Sequence, residues 1–231
     1  MNAPRRQLAL ATLAFTVSFY AWSLLGPLGP DLQDRLGLSE LELAVVISVP
    51  VLLGSLMRIP LGALTDRHGG RIVFTALLGY LPLPLVGLAL FHDSLGTVLA
   101  LGFMLGFAGA SFAVGVPFVS RWYPPERQGT ALGLYGVGMG GTVLGGLTAP
   151  RIADEWGLAA PFWVATALVT VTGAVFWSLA RNAPAEPREG PRPAMFASLG
   201  VFRTSGRAWA LTLFYFMAFG GFVAMFLYLP K

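Results

Sequence analysis

The chain has 231 residues, of which 55% are hydrophobic and 11% charged, with a formal net charge of +4 and no cysteine. Soluble domains carry about 25% charged residues, so the composition excludes an ordinary water-soluble globule, and the missing cysteines exclude disulfides and thiolate metal sites. The basic residues fall in separate short loops rather than in one patch, which argues against a nucleic-acid partner and for residues that set membrane topology.

In chain order, a short basic start, Met1 to Arg6, precedes an apolar run from Leu8 to about Leu28, too long for a signal-peptide core and read as a retained helix. A polar loop, Gly29 to Ser39, leads to a second span from Glu40 to about Leu64, with Ser39 and Glu42 at capping-box spacing. A tight turn over Asp66 to Arg71 precedes a third span, Ile72 to Phe91, interrupted by Pro82 and Pro84. The fourth runs from Leu95 to Ser120, the glycine-rich fifth from Gly129 to Pro150, and the sixth from Ala160 to Ala180. A Pro- and Arg-rich stretch follows and is expected to be a partly flexible linker. A seventh run extends from Ala208 to Pro230. Each run is near the ~20 residues needed to cross a ~30 Å hydrocarbon core.

The expected organisation is therefore a six-helix bundle over 1–180, a cytoplasmic linker over 181–207 and a seventh membrane helix over 208–231. Alternate loops carry unequal basic charge. Arg5, Arg6, Arg67, Arg71, Arg121, Arg127, Arg181, Arg188, Arg192, Arg203 and Arg207 fall on one side, and Arg35, Arg151 and Lys231 on the other. The positive-inside bias puts the N-terminus in the cytoplasm of a multi-pass plasma-membrane protein. A seventh span that closes the sequence reads as the start of a second, absent half.

Arg58 stands inside an apolar stretch with Pro60 and Gly62 just beyond it. An uncompensated arginine at a helix centre costs roughly 2.5 to 3.5 kcal/mol on insertion scales. One reading is snorkelling to the interface, which requires the span to end early. The other is a guanidinium facing an aqueous cavity, whose planar fork matches a small oxyanion. The fifth span offers Gly-x-x-x-Gly spacings through Gly129, Gly133, Gly136, Gly140, Gly141 and Gly145, with Gly138 between. They serve close helix packing or leave backbone open to a substrate. Phe112, beside Gly109, Ala110 and Ser111, is the span-four ring placed to stack on a planar ligand. His68 and His92 fall in turns on opposite sides, and the acidic residues lie almost entirely in loops. No metal set, nucleophile or acid/base pair is legible, so neither an enzyme nor a cofactor is expected.

Gly62-Ala-Leu-Thr-Asp66-Arg67-His-Gly69-Gly-Arg71 resembles the signature of the major facilitator superfamily. Arg58-Ile-Pro, Gly109-Ala-Ser-Phe112-Ala-Val-Gly115, Trp122-Tyr-Pro-Pro-Glu-Arg-Gln-Gly129 and Gly133-Leu-Tyr-Gly-Val-Gly138 together resemble the nitrate/nitrite porter family. The resemblance implies an all-α integral membrane fold, the six-helix N-terminal half of a facilitator-type transporter plus a seventh helix. It implies alternating access for nitrate or nitrite. The lack of a mid-span carboxylate argues against proton coupling through a titrating acid, and exchange of two anions over one arginine fits better. Arg58 would bind the anion, Phe112 pack against it, and Gly136, Gly138 and Gly141 form the span-five signature. Gly62, Asp66, Arg67, Gly69 and Arg71 would form a cytoplasmic gate. The implied partners are the anion, the bilayer, and a missing C-terminal half carrying a second arginine, or a second copy of the chain. Met139 departs from the pattern, since the family typically has Asn there and a thioether cannot donate a hydrogen bond. Rival readings are a facilitator for an organic anion, sugar or drug, and a non-transporting assembly subunit.

Overall fold

A computed structural model describes residues 3–184 and 200–228, and all regular structure among them is helical. The chain divides into two compact units on either side of Pro184. Of the linker expected over 181–207, residues 185–199 lie outside the described residues.

The first unit opens with α1 (Ala3–Ser23) and continues through a short α2 (Gly29–Leu36) into α3 (Glu40–His68). The polar stretch after span one, expected as a loop, thus contains a helix: Pro30 favours its first turn and Gly37, at φ 62°, closes it in the left-handed region. The predicted capping box is present. The Ser39 hydroxyl accepts from the Glu42 N–H at 3.3 Å, and the Glu42 carboxylate accepts from the Ser39 N–H at 2.9 Å. The third span is two helices, α4 (Gly70–Tyr80) and α5 (Pro82–Leu90), because Pro82 cannot donate to the helix ladder. The fourth is α6 (Leu95–Leu105), a 3-10 turn over Gly106–Ala110, and α7 (Ser111–Ser120). The fifth starts earlier than expected, with Pro125 in the first turn of α8 (Pro125–Gly136), and passes through a 3-10 turn, Val137–Met139, into α9 (Gly140–Trp156). α10 (Ala160–Leu179) closes the unit.

Among the described residues, five stretches are long and apolar enough to cross a membrane: α3, α4 with α5, α6 to α7, α8 to α9, and α10. α1 has the length, about 31 Å at 1.5 Å per residue, but carries more polar side chains. It is the packing axis, in contact with α7, α8, α9 and α10, and Phe15, Phe19, Ala11, Ala14 and Ala21 are fully enclosed. The second unit is described by itself: α11 (Val201–Thr204) turns at Ser205 into α12 (Gly206–Tyr228), with Trp209 Nε1 donating to the Phe202 carbonyl at 2.9 Å.

Both ends of the first unit are tied by polar contacts. At the end carrying the α3–α4 turn, the last turn of α10 receives Gln7 from α1. That side chain is fully buried, donates to the Leu179 carbonyl at 3.4 Å and accepts from the Arg181 N–H at 2.9 Å. At the opposite end, Arg35 of α2 pairs with Asp93 of the α5–α6 loop at 2.7 Å, and the Arg35 guanidinium holds the Asp93 carboxyl below its ordinary range.

Replacing Gln7 by Leu leaves the part-buried Arg181 N–H without this acceptor, worth about 1–3 kcal/mol when unmet, while the Leu179 carbonyl keeps Arg6 Nη2 at 3.5 Å. The Gln7→Leu chain in detergent is expected to unfold at lower temperature and to exchange the Arg181 amide faster, and unchanged exchange there refutes the tie. For Asp93 the sign follows from a depressed carboxylate: its stabilising contribution is complete above the ordinary range and disappears as pH falls through the depressed value. The stability difference between wild type and Asp93→Asn is expected to stay constant near neutrality and to close only in acid below about pH 4, as read by thermal unfolding across pH.

Candidate functional site

The site is built on a close crossing. α3 meets the fourth span where Gly54 faces Gly106 and Gly109: a Cβ on Gly54 would lie 2.9 Å from the Gly106 carbonyl oxygen and 3.4 Å from the Gly109 Cα. Trp22 of α1 closes the junction, its Nε1 donating to the Pro50 carbonyl at 3.3 Å and lying 2.9 Å from where a Gly109 Cβ would stand. Two turns further along α3, a Cβ on Gly62 would lie 4.0 Å from the Ala113 carbonyl. Residues four apart share a helix face, so Gly54, Arg58 and Gly62 form one strip, with contacts at both ends. Arg58 between them is therefore level with the segment from Gly109 to Ala113, which contains Ser111 and Phe112.

α3 runs on to His68, four residues past the predicted end at Leu64. Arg58 is ten residues, roughly 15 Å, from that terminus, which removes the early ending that snorkelling requires. Arg58 is half-buried, whereas Leu56 and Ile59 beside it are exposed apolar residues.

Phe112 belongs to an aromatic cluster that the sequence did not reveal. It stacks on Tyr135 with centroids 5.8 Å apart and tilts against Phe15 at 5.6 Å, while Phe15 and Tyr135 stack at 4.8 Å. Tyr135 is fully buried, its hydroxyl donates to the Ser111 carbonyl at 3.1 Å, and a side chain on Gly115 would collide with it. Ser111 itself is fully buried and its Oγ has no hydrogen-bond partner. Other hydroxyls inside these helices close on the carbonyl four residues back, as Ser18 does on Ala14, Ser48 on Ala44 and Thr65 on Leu61. For Ser111 that carbonyl is Phe107, within the 3-10 turn Gly106–Ala110. A buried hydroxyl left unmet costs about 1–3 kcal/mol.

The fifth-span glycines separate into two faces. Gly138 lies against the Phe15 ring, Gly141 against the Thr16 carbonyl and Gly145 against Ser23 and Tyr20, all on α1, leaving no room for a Cβ. Gly129, Gly133, Gly136 and Gly140 have open space where a Cβ would stand. Of the three glycines expected at a ligand, Gly136 looks into open space, while Gly138 and Gly141 serve the approach of α1.

The residues expected to form a gate gather at the α3–α4 end. Asp66 pairs with Arg121 of the turn after α7 at 2.8 Å, with side chains 62% and 44% exposed, a surface pair worth about 0–1 kcal/mol. Gly69, at φ 84°, makes the turn between helices and abuts Asn182. The Arg71 N–H donates to Asn182 Oδ1 at 3.0 Å and its Nη2 to the Trp177 carbonyl at 2.8 Å, with the guanidinium 4.5 Å from the Trp177 ring centroid. Arg71 is thus fastened to α10, and Arg67 is exposed. At the opposite end Asp31, Asp34, Arg35 and Asp154 line an open cleft of about 430 Å³. Burial, with Asp154 and Asp34 nearby, raises the Asp31 carboxyl above its ordinary range.

A many-span helical bundle with an intramembrane arginine is the architecture of a multi-pass membrane transporter. The family model for the major facilitator superfamily matches residues 11–231, and the chain belongs to that family of transporters rather than to an enzyme family. It is 38% identical to the probable nitrate/nitrite transporter NarK2 of Mycobacterium tuberculosis, over all of this chain and 58% of that protein. It is 37% identical to the probable nitrate/nitrite antiporter NarK1 of Thermus thermophilus, over 98% of this chain and 53% of that one. It is 35% identical to the nitrite extrusion protein of Bacillus subtilis, over all of this chain and 57% of that protein. The chain spans little more than half the length of these relatives. Its fold is similar to the crystal structure of the POT family transporter PepTSo, with a TM-score of 0.60 at 17% identity over 82% of this chain and 40% of that one.

The two glycine faces make opposite predictions. Gly141→Ala is expected to lower stability by about 1–3 kcal/mol through overpacking on α1, whereas Gly136→Ala is expected to be neutral or stabilising by up to about 1 kcal/mol. Thermal unfolding of both variants in detergent checks this, and equal melting temperatures would refute the division.

Proposed function

We propose that this chain is the N-terminal half, with the seventh helix, of a secondary transporter that moves nitrate and nitrite by alternating access. The observation that carries the reading is Arg58: a permanently charged fork, half-buried and ten residues from the helix end, level with the segment that carries Phe112. A guanidinium offers two parallel N–H donors to a planar oxyanion, and a neighbouring aromatic face shields the pair from water. The relatives named for nitrate and nitrite transport support that choice of anion. In this reading α1 and α12 are also membrane spans, and the N-terminus and the α3–α4 turn face the cytoplasm.

The mechanism follows from which contacts are strong. The first unit is knitted by Gln7, Arg71, Trp22 and the α1–α9 glycine contacts, so it moves as one body. At the same end the exposed Asp66–Arg121 pair and the exposed Arg67 are weakly held, so they can exchange this contact for one with an opposing half. In this reading an opposing C-terminal half completes the anion site and rocks against this one. With no titratable acid at the arginine's level, exchange of one anion for another over Arg58 balances charge without proton transfer.

The test is anion exchange in proteoliposomes containing this chain extended by a C-terminal half. Wild-type protein is expected to exchange internal nitrite for external nitrate, and Arg58→Lys to lose at least about tenfold in rate, because a point charge replaces the bidentate fork. Nitrate exchange at the wild-type rate in the Lys variant would sink the role of Arg58. Uptake of organic acids with no response to nitrate would move the substrate to another class.

A further inference from the structure

We infer that the outer surface of α10, at the end where α3 turns into α4, holds an anionic phospholipid, with its phosphate on Arg71 and an acyl chain along the exposed stripe of the helix. The inference needs a chain that spans a membrane and is independent of the anion carried. α10 packs on α1, α4, α5 and α9, whereas α3, the helix of Arg58, packs chiefly on α6, α7 and the 3-10 turn between them. The face of α10 that its neighbours leave open carries Trp163, Ala167, Thr170, Ala174 and Trp177, all exposed, at alternating steps of four and three. Such a stripe on a membrane span meets lipid, and a tryptophan near the end of a span sits at headgroup depth.

Arg71 joins this stripe to charge. Its guanidinium lies 4.5 Å from the centroid of the Trp177 ring, and its Nη2 donates to the Trp177 carbonyl at 2.8 Å. Among the described residues that is the guanidinium's one hydrogen bond, and no carboxylate pairs with it. The half-buried Arg6 reaches the same turn of α10, with Nη2 3.5 Å from the Leu179 carbonyl, and the exposed Arg181 follows two residues later. The acids described at this end are Asp66, already paired with Arg121, and Glu126 of α8, a helix that packs on α1 and α7. At the other end of the stripe the turn before α10 carries Asp154 and Glu155 beside Arg151. Unbalanced positive charge therefore adjoins one end of the stripe and not the other. Capping the last carbonyls of α10 accounts for one N–H of Arg71 but leaves its charge unneutralised. A lipid phosphate supplies the counter-charge, since a guanidinium pairs with phosphate oxygens, while the chain below it covers the apolar face. Free phosphate would meet the charge and gain nothing from the stripe.

Quenching of Trp177 by brominated lipid reads the site directly. The chain is reconstituted in vesicles of phosphatidylcholine and phosphatidylglycerol with bromine on the acyl chains of one lipid or the other, and Trp177→Phe identifies the share of tryptophan emission that belongs to the site. Wild type is expected to bind phosphatidylglycerol over phosphatidylcholine there by at least about fivefold, the scale of one basic side chain at an anionic surface. Arg71→Gln is expected to lower that ratio by about fivefold, and Arg71→Lys, which keeps a phosphate-binding point charge, to retain at least about half of it. A wild-type ratio near unity would overturn the inference without recourse to any variant. So would a ratio untouched by Arg71→Gln, which removes the arginine from the site, or equal losses in the Gln and Lys variants, which leave Arg71 a helix cap only. Quenching abolished by millimolar inorganic phosphate would make the site one for a free anion and would overturn the lipid as its occupant.

Discussion

The approach of α3 to the fourth span without intervening side chains is the constraint on which the remaining structure depends. Gly54, Gly106 and Gly109 let two backbones come within van der Waals reach, and Trp22 caps the junction with an indole that is both a filler and a hydrogen-bond donor to Pro50. Had any of these glycines carried a Cβ, α3 would stand off from the bundle and Arg58 would have no fixed level. Membrane helices have no hydrophobic gain from associating with one another, so close packing of small residues is what holds them. The same economy recurs at Gly138, Gly141 and Gly145 against α1.

Much of this fold was legible because its signals are local. Apolar runs of span length, the Ser39–Glu42 capping box and the break at Pro82 are consequences of neighbours in sequence, and each has its counterpart in the helices. The helix over Gly29–Leu36 was hidden because its composition is that of a loop, rich in Asp, Gly and Pro; only its Pro30 start and Gly37 stop betray it. The level of Arg58 relative to Phe112 was not readable, because register between two helices depends on which glycines meet, and both helices carry several. Nor was the division of the span-five glycines. Their spacings alone are compatible with either face, and the 3-10 turn over Val137–Met139 shifts the register between the two sets.

Gln7 and Ser111 illustrate how one chemical type acquires two meanings. Each is a polar side chain with no exposed surface. Gln7 has both halves of its amide engaged by the last turn of α10, where unpaired carbonyls are to be expected. It is a structural group, and a sequence reader had a cue in its place one residue after Arg6 at the start of an apolar run. The Ser111 hydroxyl, by contrast, is buried without a hydrogen-bond partner. The distinction lies in the hydrogen-bond accounting of buried polar groups, which needs coordinates and not composition.

The distribution of strong and weak polar contacts bears on the alternating-access reading proposed above. Contacts buried against α10 and α1 resist separation, since opening them exposes unmet backbone groups. The contacts at the solvent-facing tips, Asp66 with Arg121 and Arg35 with Asp93, are exchanged with water at little net cost. A body that is stiff inside and loosely latched at its rims can tilt as a unit against an opposing half, and the pivot for that tilt should be the face with space left on it. The open glycines Gly129, Gly133, Gly136 and Gly140 make such a face, on the opposite stripe of the span from the one that α1 has already filled. A glycine stripe packed on one side and unfilled on the other is what a helix needs if it is to hold its own half together while sliding against something else.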